Sequence, residues 1–294
     1  MGRRKPPTTH GVTVVDKPAG MTSHDVVALL RRRFGERQIG HAGTLDPDAT
    51  GVLVVGVGMA TRLLRFVVDS RKRYVGEVVL GTETSTLDAG GEVTAVHDMS
   101  DVGVDEARLV VAQHLFGEIL QVPPMVSALK VGGRRLHELA REGIEVERAP
   151  RPVTVFGFDV SEGSAPGVLR VDVECSSGTY IRSLAAELGR LLGGGAHLRD
   201  LRRVAVGSFT LDEAAGPDVC ALLPVAAAVR SLAPVTIGDD VAALVANGRV
   251  LDAWPGDGPW AVFDQHGTLL AVYEPYREHE AKPSVVLPVT AARG

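Results

Sequence analysis

Cysteine is nearly absent from this chain: 294 residues contain only Cys175 and Cys220, far apart and not in a CxxC pair. Two isolated cysteines supply neither a disulfide framework nor a redox motif, so free thiols and a reducing, cytoplasmic location are expected. No apolar run approaches the roughly 20 residues that cross a bilayer as a helix, so no membrane association is expected. The opening MGRRKPPTTHG is basic and proline-bearing with no apolar stretch behind it, unlike a secretory signal. Pro6 stands where a myristoylation motif needs Ser or Thr. The nine histidines are scattered without metal-ligand spacing, so no metal site is expected, and there is neither an internal repeat nor a low-complexity tract.

What is present is the composition of a globular protein, 45% hydrophobic and 23% charged. The length suits a main domain with its own core and a smaller second one. Net charge is −5 but unevenly spread: residues 1–73 carry thirteen Lys or Arg against six Asp or Glu, and residues 234–294 carry four against eight. A basic first quarter can present a positive face to a polyanion while the whole chain stays acidic.

Residues 40–51, GHAGTLDPDATG, hold glycines at both ends, His41, two threonine hydroxyls, and two carboxylates, Asp46 and Asp48, separated only by Pro47. An apolar run over 52–57 follows at once, so a loop crowded with functional groups is anchored to a buried strand, as catalytic loops are. Asp-Pro-Asp is also good β-turn chemistry. Upstream, residues 12–15 read as a strand and 16–20, with Lys17, as a turn. Ser23 is placed to cap a helix with the apolar stripe Val26, Leu29 and Leu30, closed by Gly35. Arg31, Arg32 and Arg33 fall in its last turn, where cations complement the helix dipole.

Residues 60–68 read as a helix. Arg71, Lys72 and Arg73 then lead into a strand from Tyr74 to Leu80; cations that hold phosphates beside a ring that can stack a base are a nucleic-acid-like combination. Residues 81–91 read as a mobile polar loop. Spacing predicts a helix over 105–116 with Leu109, Val110 and Leu115 on one face. Residues 121–143, QVPPMVSALKVGGRRLHELAREG, combine a Pro-Pro turn, a Gly-Gly turn and a basic amphipathic helix from about Arg135, suiting an RNA-contacting insertion or a solvated excursion. Residues 168–175 alternate as a half-buried strand, and a helix opening at Tyr180 turns Ile181, Leu184, Ala185 and Leu188 inward. Arg199, Arg202 and Arg203 surround Leu201 before a strand over 204–211. Beyond residue 230 a helix at 239–247 and four short β-like runs suggest a small β-barrel, giving two domains, 1–230 and 231–294.

Four of these segments together resemble the TruB family of tRNA pseudouridine synthases: VVDKPAGMTSHDVV (14–27), GHAGTLDPDATGVLVVGVGMATR (40–62), KRYVGEVVLGTETSTLDAGG (72–91) and VECSSGTYIRSLAAELG (173–189) with AHLRDLRRVAVGSF (196–209). Order and spacing match over nearly the first 210 residues. The resemblance implies an α/β (α+β) fold, a mixed, largely antiparallel pseudouridine-synthase sheet flanked by helices, plus a small C-terminal PUA-like β-barrel that binds RNA. It implies isomerisation of uridine to pseudouridine in the T-loop of tRNA, at the position conventionally numbered 55, without cofactor or metal. The family's aspartate falls on Asp46, its base-stacking tyrosine on Tyr74, and a second pocket tyrosine and arginine on Tyr180 and Arg182. Substrate contacts fall on His41 and Leu201, and also on Lys17 and Lys130. Val126 replaces the tyrosine of the family's PPxYSALK segment, and His137 a later tyrosine.

The implied reaction breaks the C1′–N1 bond, turns the uracil and rejoins it through C5, which requires the base to leave its stack. Asp46 can attack C1′, stabilise charge there or remove a proton, and Arg182 is the expected ion-pair partner that keeps it ionised. The alternative is an RNA-binding or tRNA-folding chaperone using the same pocket, although a pure binder has no need of a carboxylate facing a polyanion. A metal-dependent phosphohydrolase on Asp46 and Asp48 fits poorly, since no further ligands are near in sequence. The expected partner is the tRNA T-arm, and the expected state a monomer.

Overall fold

The computed structural model describes residues 6–127 and 129–288. In chain order the elements are β1 (Gly11–Lys17), α1 (Ser23–Phe34), β2 (Ile39–His41), β3 (Thr50–Val57), α2 (Leu64–Val68), β4 (Lys72–Leu80), β5 (Thr82–Thr84), β6 (Val93–Val96), α3 (Val104–His114), β7 (Gly117–Gln121), β8 (Lys130–Val131), β9 (Arg134–Arg135) and α4 (Leu136–Arg141). They continue with β10 (Arg151–Glu162), β11 (Val168–Cys175), α5 (Ile181–Leu191), β12 (Ala196–Val206), β13 (Phe209–Thr210), β14 (Ala233–Thr236), α6 (Asp239–Ala246), β15 (Leu251–Asp252), β16 (Trp260–Phe263), β17 (Leu269–Pro275) and β18 (Glu280–Val286). Contacts divide the chain into two compact units, one of Met1–Pro47, Gly51–Ser70 and Ala205–Gly294, the other of Asp48–Thr50 and Arg71–Val204.

In the first unit β3 lies between β1 and β2, antiparallel to both, in the register Gly11↔Val57 and Ile39↔Val57. A strand covered on both faces reads as a continuous apolar run, and β3 is buried from Gly51 to Val57. Leu53, Val55 and Val57 pack with Val26, Val27 and Leu30 of α1. Val52 and Val54 point the other way, into a core shared with Leu63, Leu64 and Val67, with Val225 and Val229, with Ala261, Leu269, Val272 and Val285 of the C-terminal sheet, and with Leu287 just after it. That sheet runs β14-β16-β17-β18-β15, with only β14 and β16 parallel. Its other face buries Trp260, Val262 and Tyr273 with Ile237 and with Val245 of α6.

The second unit contains the strand order β12-β4-β11-β10-β7, in which β4, β11, β10 and β7 pair antiparallel. Helices α3 and α5 pack together, α3 also on β10. The fold is therefore the expected mixed, largely antiparallel α/β arrangement with a small C-terminal sheet.

Several local expectations shift. The cap of α1 is Thr22, not Ser23: Thr22 accepts from Asp25 N–H and Asp25 answers in a reciprocal capping box, while Gly35 closes the helix in the left-handed region at φ 61°. Residues 60–68 split into a 3₁₀ turn, Gly58–Arg62, and α2. In α3 the buried residues are Ala107 and Val111, and Leu109 is 57% exposed. The inward face follows the i, i+4 row Ala107, Val111 and Leu115, so of the expected stripe only Leu115, at the helix C-cap, is buried. Strand β12 starts at Ala196, so Arg199, Arg202 and Arg203 are strand residues.

Candidate active site

The first unit fixes the loop that carries Asp46 from both sides. Ser23, relieved of capping, is buried at 1% exposure; its Oγ accepts from Leu45 N–H at 2.9 Å and donates to Leu45 O at 3.2 Å. On the other side of Asp46, Pro47 O accepts from Gly20 N–H at 3.0 Å and from Lys17 Nζ at 2.9 Å. Lys17 has no exposed surface, and its ammonium also donates to Pro18 O at 2.8 Å and Met21 O at 2.7 Å. A buried ammonium is costly unless its donors are satisfied, and these carbonyls satisfy them while tying the β1 turn to the Asp46 loop. Both peptide neighbours of Asp46 are thus held by side chains from elsewhere in the chain. The ring of His41, at the end of β2, stands edge-on to His24 with centroids 5.5 Å apart.

The second unit builds a polar cluster around the start of α5. Arg182 is 4% exposed. Its Nη1 donates to Thr86 O at 2.9 Å and lies 3.4 Å from Asp88 Oδ2, and its Nη2 donates to Val126 O at 2.9 Å. The residues after β5, expected to be mobile, are tied down instead. Thr86 Oγ1 donates to Asp88 Oδ1 at 2.6 Å, as does Gly90 N–H at 3.1 Å, and Ala89 N–H reaches Leu198 O of β12 at 2.9 Å. Gly91 is required there, because a Cβ on it would lie 2.4 Å from Thr86 Oγ1. The signal for Asp88 was present in TLDAGG, where Asx hydrogen bonding and paired glycines both favour a tight turn, but its partnership with Arg182 spans 94 positions and leaves no periodic trace.

Tyr74 of β4 is mostly buried, opposite Val173 of β11. Leu201, on the neighbouring β12, follows Asp200, whose φ of 52° marks a local irregularity. It lies close to β4, since a Cβ on Gly76 would be 3.5 Å from Leu201 Cα. Arg199 donates twice to Glu77 Oε2, at 2.9 and 2.7 Å. Burial alone would raise the Glu77 carboxyl, but hydrogen bonds from Arg199 and Ser164 outweigh it and hold the group below its ordinary value. The cations beside Tyr74 are largely committed within the unit: Arg73 pairs bidentately with Asp172 at 2.8 Å, and Arg71 lies 3.8 Å over the Phe156 ring and 3.5 Å from Glu174. The backbone of Lys130 pairs with that of Arg135 in a two-stranded ribbon, whereas the side chains of Lys130 and His137 lie outside the described residues.

Burial pushes the Cys175 thiol up to about 11, so no thiolate nucleophile is available there at neutral pH. Among the described residues there is no group of three or more His, Cys, Asp or Glu that could hold a metal, and no helix is long and apolar enough to cross a membrane.

Comparison with known proteins agrees with the sequence segments. Residues 31–181 match the N-terminal domain model of the TruB family pseudouridylate synthases, 182–228 a tRNA pseudouridylate synthase B C-terminal domain, and 233–288 the tRNA pseudouridine synthase II C-terminal domain. A relative from Arthrobacter sp. (strain FB24), named tRNA pseudouridine synthase B, is 46% identical over 281 residues, 89% of this chain and 92% of its own. One of the same name from Mycobacterium bovis (strain BCG / Pasteur 1173P2) is 42% identical over 296 residues, 98% and 99% of the two chains. Among solved structures, a chain of a Cbf5-Nop10-Gar1 complex superposes with a TM-score of 0.71 at 26% identity, covering 95% of this chain and 84% of that one. A chain of an H/ACA RNP bound to a substrate RNA containing 2′-deoxyuridine gives 0.69 at 25% identity, covering 95% and 85%. With half the chain inside one family model and relatives above 40% identity along almost its whole length, this chain belongs to the TruB family of pseudouridylate synthases, which are isomerases.

Proposed function

We propose that this enzyme converts uridine to pseudouridine in tRNA, in the T-loop at the position conventionally numbered 55, with Asp46 as the carboxylate at the reacting centre. Two relatives that it matches over nearly their full length bear the name tRNA pseudouridine synthase B. The observation that carries the role of Asp46 is the double anchoring of its neighbours, Leu45 by Ser23 and Pro47 by Lys17. A residue serving only to form a turn needs neither of its neighbours tied down by a buried lysine or serine. Electrostatic catalysis does need a charge held still before the reaction begins.

In this reading the uridine leaves its stack at a cost of a few kcal/mol, and stacking on Tyr74 recovers about 1–3 kcal/mol. Asp46 stabilises or captures C1′ as the C1′–N1 bond breaks. The uracil turns, C5 bonds to C1′, the C5 proton is lost and N1 gains one. Tyr180, Leu201 and His41 shape the base site, and Arg182, held by the Thr86 and Val126 carbonyls, orients it. Lys17 is assigned to the loop and not to the substrate, because its ammonium is already engaged with three carbonyls. Residues 231–294 add RNA contact as a PUA-like module, supported by the C-terminal family match and by Tyr276, 45% exposed with Arg277 and Lys282 against its ring.

The test is to incubate purified protein with an unmodified tRNA transcript and map pseudouridine base by base. Product confined to the T-loop uridine is expected, and none when that uridine is replaced by cytidine. Pseudouridine at other positions with the T-loop untouched would overturn the assignment.

A further inference from the structure

Gln121 ends β7 and is buried at 6% exposure, with no place in the chemistry described above. Its side-chain amide closes on a single residue 59 positions away: Nε2 donates to Tyr180 O at 3.0 Å, and Oε1 accepts from Tyr180 N–H at 2.8 Å. Because a peptide N–H only donates and a peptide carbonyl only accepts, the orientation of the amide is fixed by its partner. Tyr180 is the N-cap of α5, extended at φ −101° and ψ 110°, and has no side-chain cap bond of its own. Helix entry here is secured not by a Ser, Thr or Asp at the cap but by a distant amide that grips the cap residue as a neighbouring strand would.

The same region carries two more ties. Ser183 Oγ donates to Val122 O at 3.1 Å, and Arg182 Nη2 to Val126 O at 2.9 Å. The first turn of α5 is thereby stitched to residues 121–126. Gln121 bonds both main-chain polar groups of Tyr180, sharing the carbonyl with Leu184 N–H at 3.2 Å.

We propose that Gln121 is a positioning residue for pseudouridine formation, acting through Tyr180 and the first turn of α5 to set the base site, and not by touching the substrate. This rests on the reading of Tyr180 and Arg182 as base-site residues. The requirement is chemically narrow: the side chain must present one acceptor and one donor at the reach of a glutamine. An ionised glutamate keeps the acceptor for Tyr180 N–H but turns a second anionic oxygen on Tyr180 O. When protonated, it supplies the missing donor, and burial raises the pH at which that happens.

The test uses the full-length protein under single-turnover conditions, with enzyme saturating over a T-arm RNA, from pH 5.5 to 8.5. Gln121→Leu should form pseudouridine on the order of 30-fold or more slowly while binding RNA within about 3-fold of the unmodified protein, since misplacement of a site by about 1 Å costs near 10²-fold. Gln121→Glu should be similarly slow at pH 8.5 and recover about 10-fold or more, relative to the unmodified protein, as the pH falls to 5.5. A merely structural role lowers rate only through the folded fraction, so rates are taken at a temperature where circular dichroism shows Gln121→Glu fully folded from pH 5.5 to 8.5; there a structural role gives no recovery on acidification. If Gln121→Leu does not fold, the Gln121→Glu profile decides alone. Wild-type turnover by Gln121→Leu, or a Gln121→Glu profile parallel to wild type, would overturn the proposal. Absence of pseudouridine with the unmodified protein would instead overturn the functional reading on which it stands.

Discussion

Replacing Lys17 by Met removes an ammonium while keeping most of the buried volume. Each hydrogen bond from a charged donor contributes about 1.5–3 kcal/mol, and Lys17 donates to the carbonyls of Pro18, Met21 and Pro47. The loss is offset by the several kcal/mol no longer spent desolvating the charge. A net destabilisation of about 2–4 kcal/mol follows, or roughly 4–8 °C in melting temperature for a chain of this size. The larger effect should fall on catalysis. With Pro47 O held only by Gly20 N–H, Asp46 drifts, and a drift near 1 Å costs about 10²-fold in rate. Single-turnover pseudouridine formation at a temperature where the variant is fully folded measures this directly. RNA affinity and its slope against log salt should stay unchanged, because a fully buried lysine releases no counterion. A variant that turns over normally at saturation but binds more weakly, with the salt slope reduced by about 1, would make Lys17 a phosphate contact and refute the anchoring argument.

Deletion of residues 231–294 should prevent stable folding rather than merely weaken RNA binding. Ala261, Leu269, Val272, Val285 and Leu287 share a core with Val12, Val14, Val52 and Val54, and losing several such side chains at about 1.5–3 kcal/mol each rivals the whole stability of a domain. A truncated protein with a cooperative, near wild-type thermal transition would contradict this. Acid should destabilise the fold through Glu213, held below its ordinary value by Arg230, and through Glu77. A carboxyl with a depressed folded value contributes stability above its ordinary 4.5 and loses it as pH falls through the lower folded value, so urea midpoints should fall below about pH 4.5, and less steeply in Glu77→Gln. Equal acid sensitivity of Glu77→Gln and wild type would remove Glu77 from that account.

Much of the architecture was legible because it is periodic. The apolar run of β3, the alternation of β11 and the inward row of α5 are each written within one element. The loop carrying Asp46 stands out in the sequence by its crowded polar groups, and only resemblance separates a catalytic reading from that of a turn. What pattern could not show are bonds between distant residues: Ser23 to Leu45, Lys17 to Pro47, Arg182 to Thr86, Gln121 to Tyr180. Ser23 was misread as a cap because either hydroxyl at 22 and 23 suits a helix start. Only the three-residue spacing of Thr22 to Asp25 distinguishes them, and the difference frees Ser23 for the Asp46 loop. The polar stretch around Asp88 looked mobile because its order comes from β12, far along the chain.

If the negative charge of Asp46 drives the isomerisation, Asp46→Asn removes it with the least disturbance. Asparagine keeps the size and turn propensity at this position, and the anchors on Leu45 and Pro47 act through main-chain atoms, so the fold should be retained. Measured on one T-arm RNA, binding should stay within a few-fold of wild type, while single-turnover pseudouridine formation should fall by on the order of 10³-fold or more. Asp48→Asn in the same assay should keep measurable turnover. Substantial pseudouridine formation by Asp46→Asn would contradict the account.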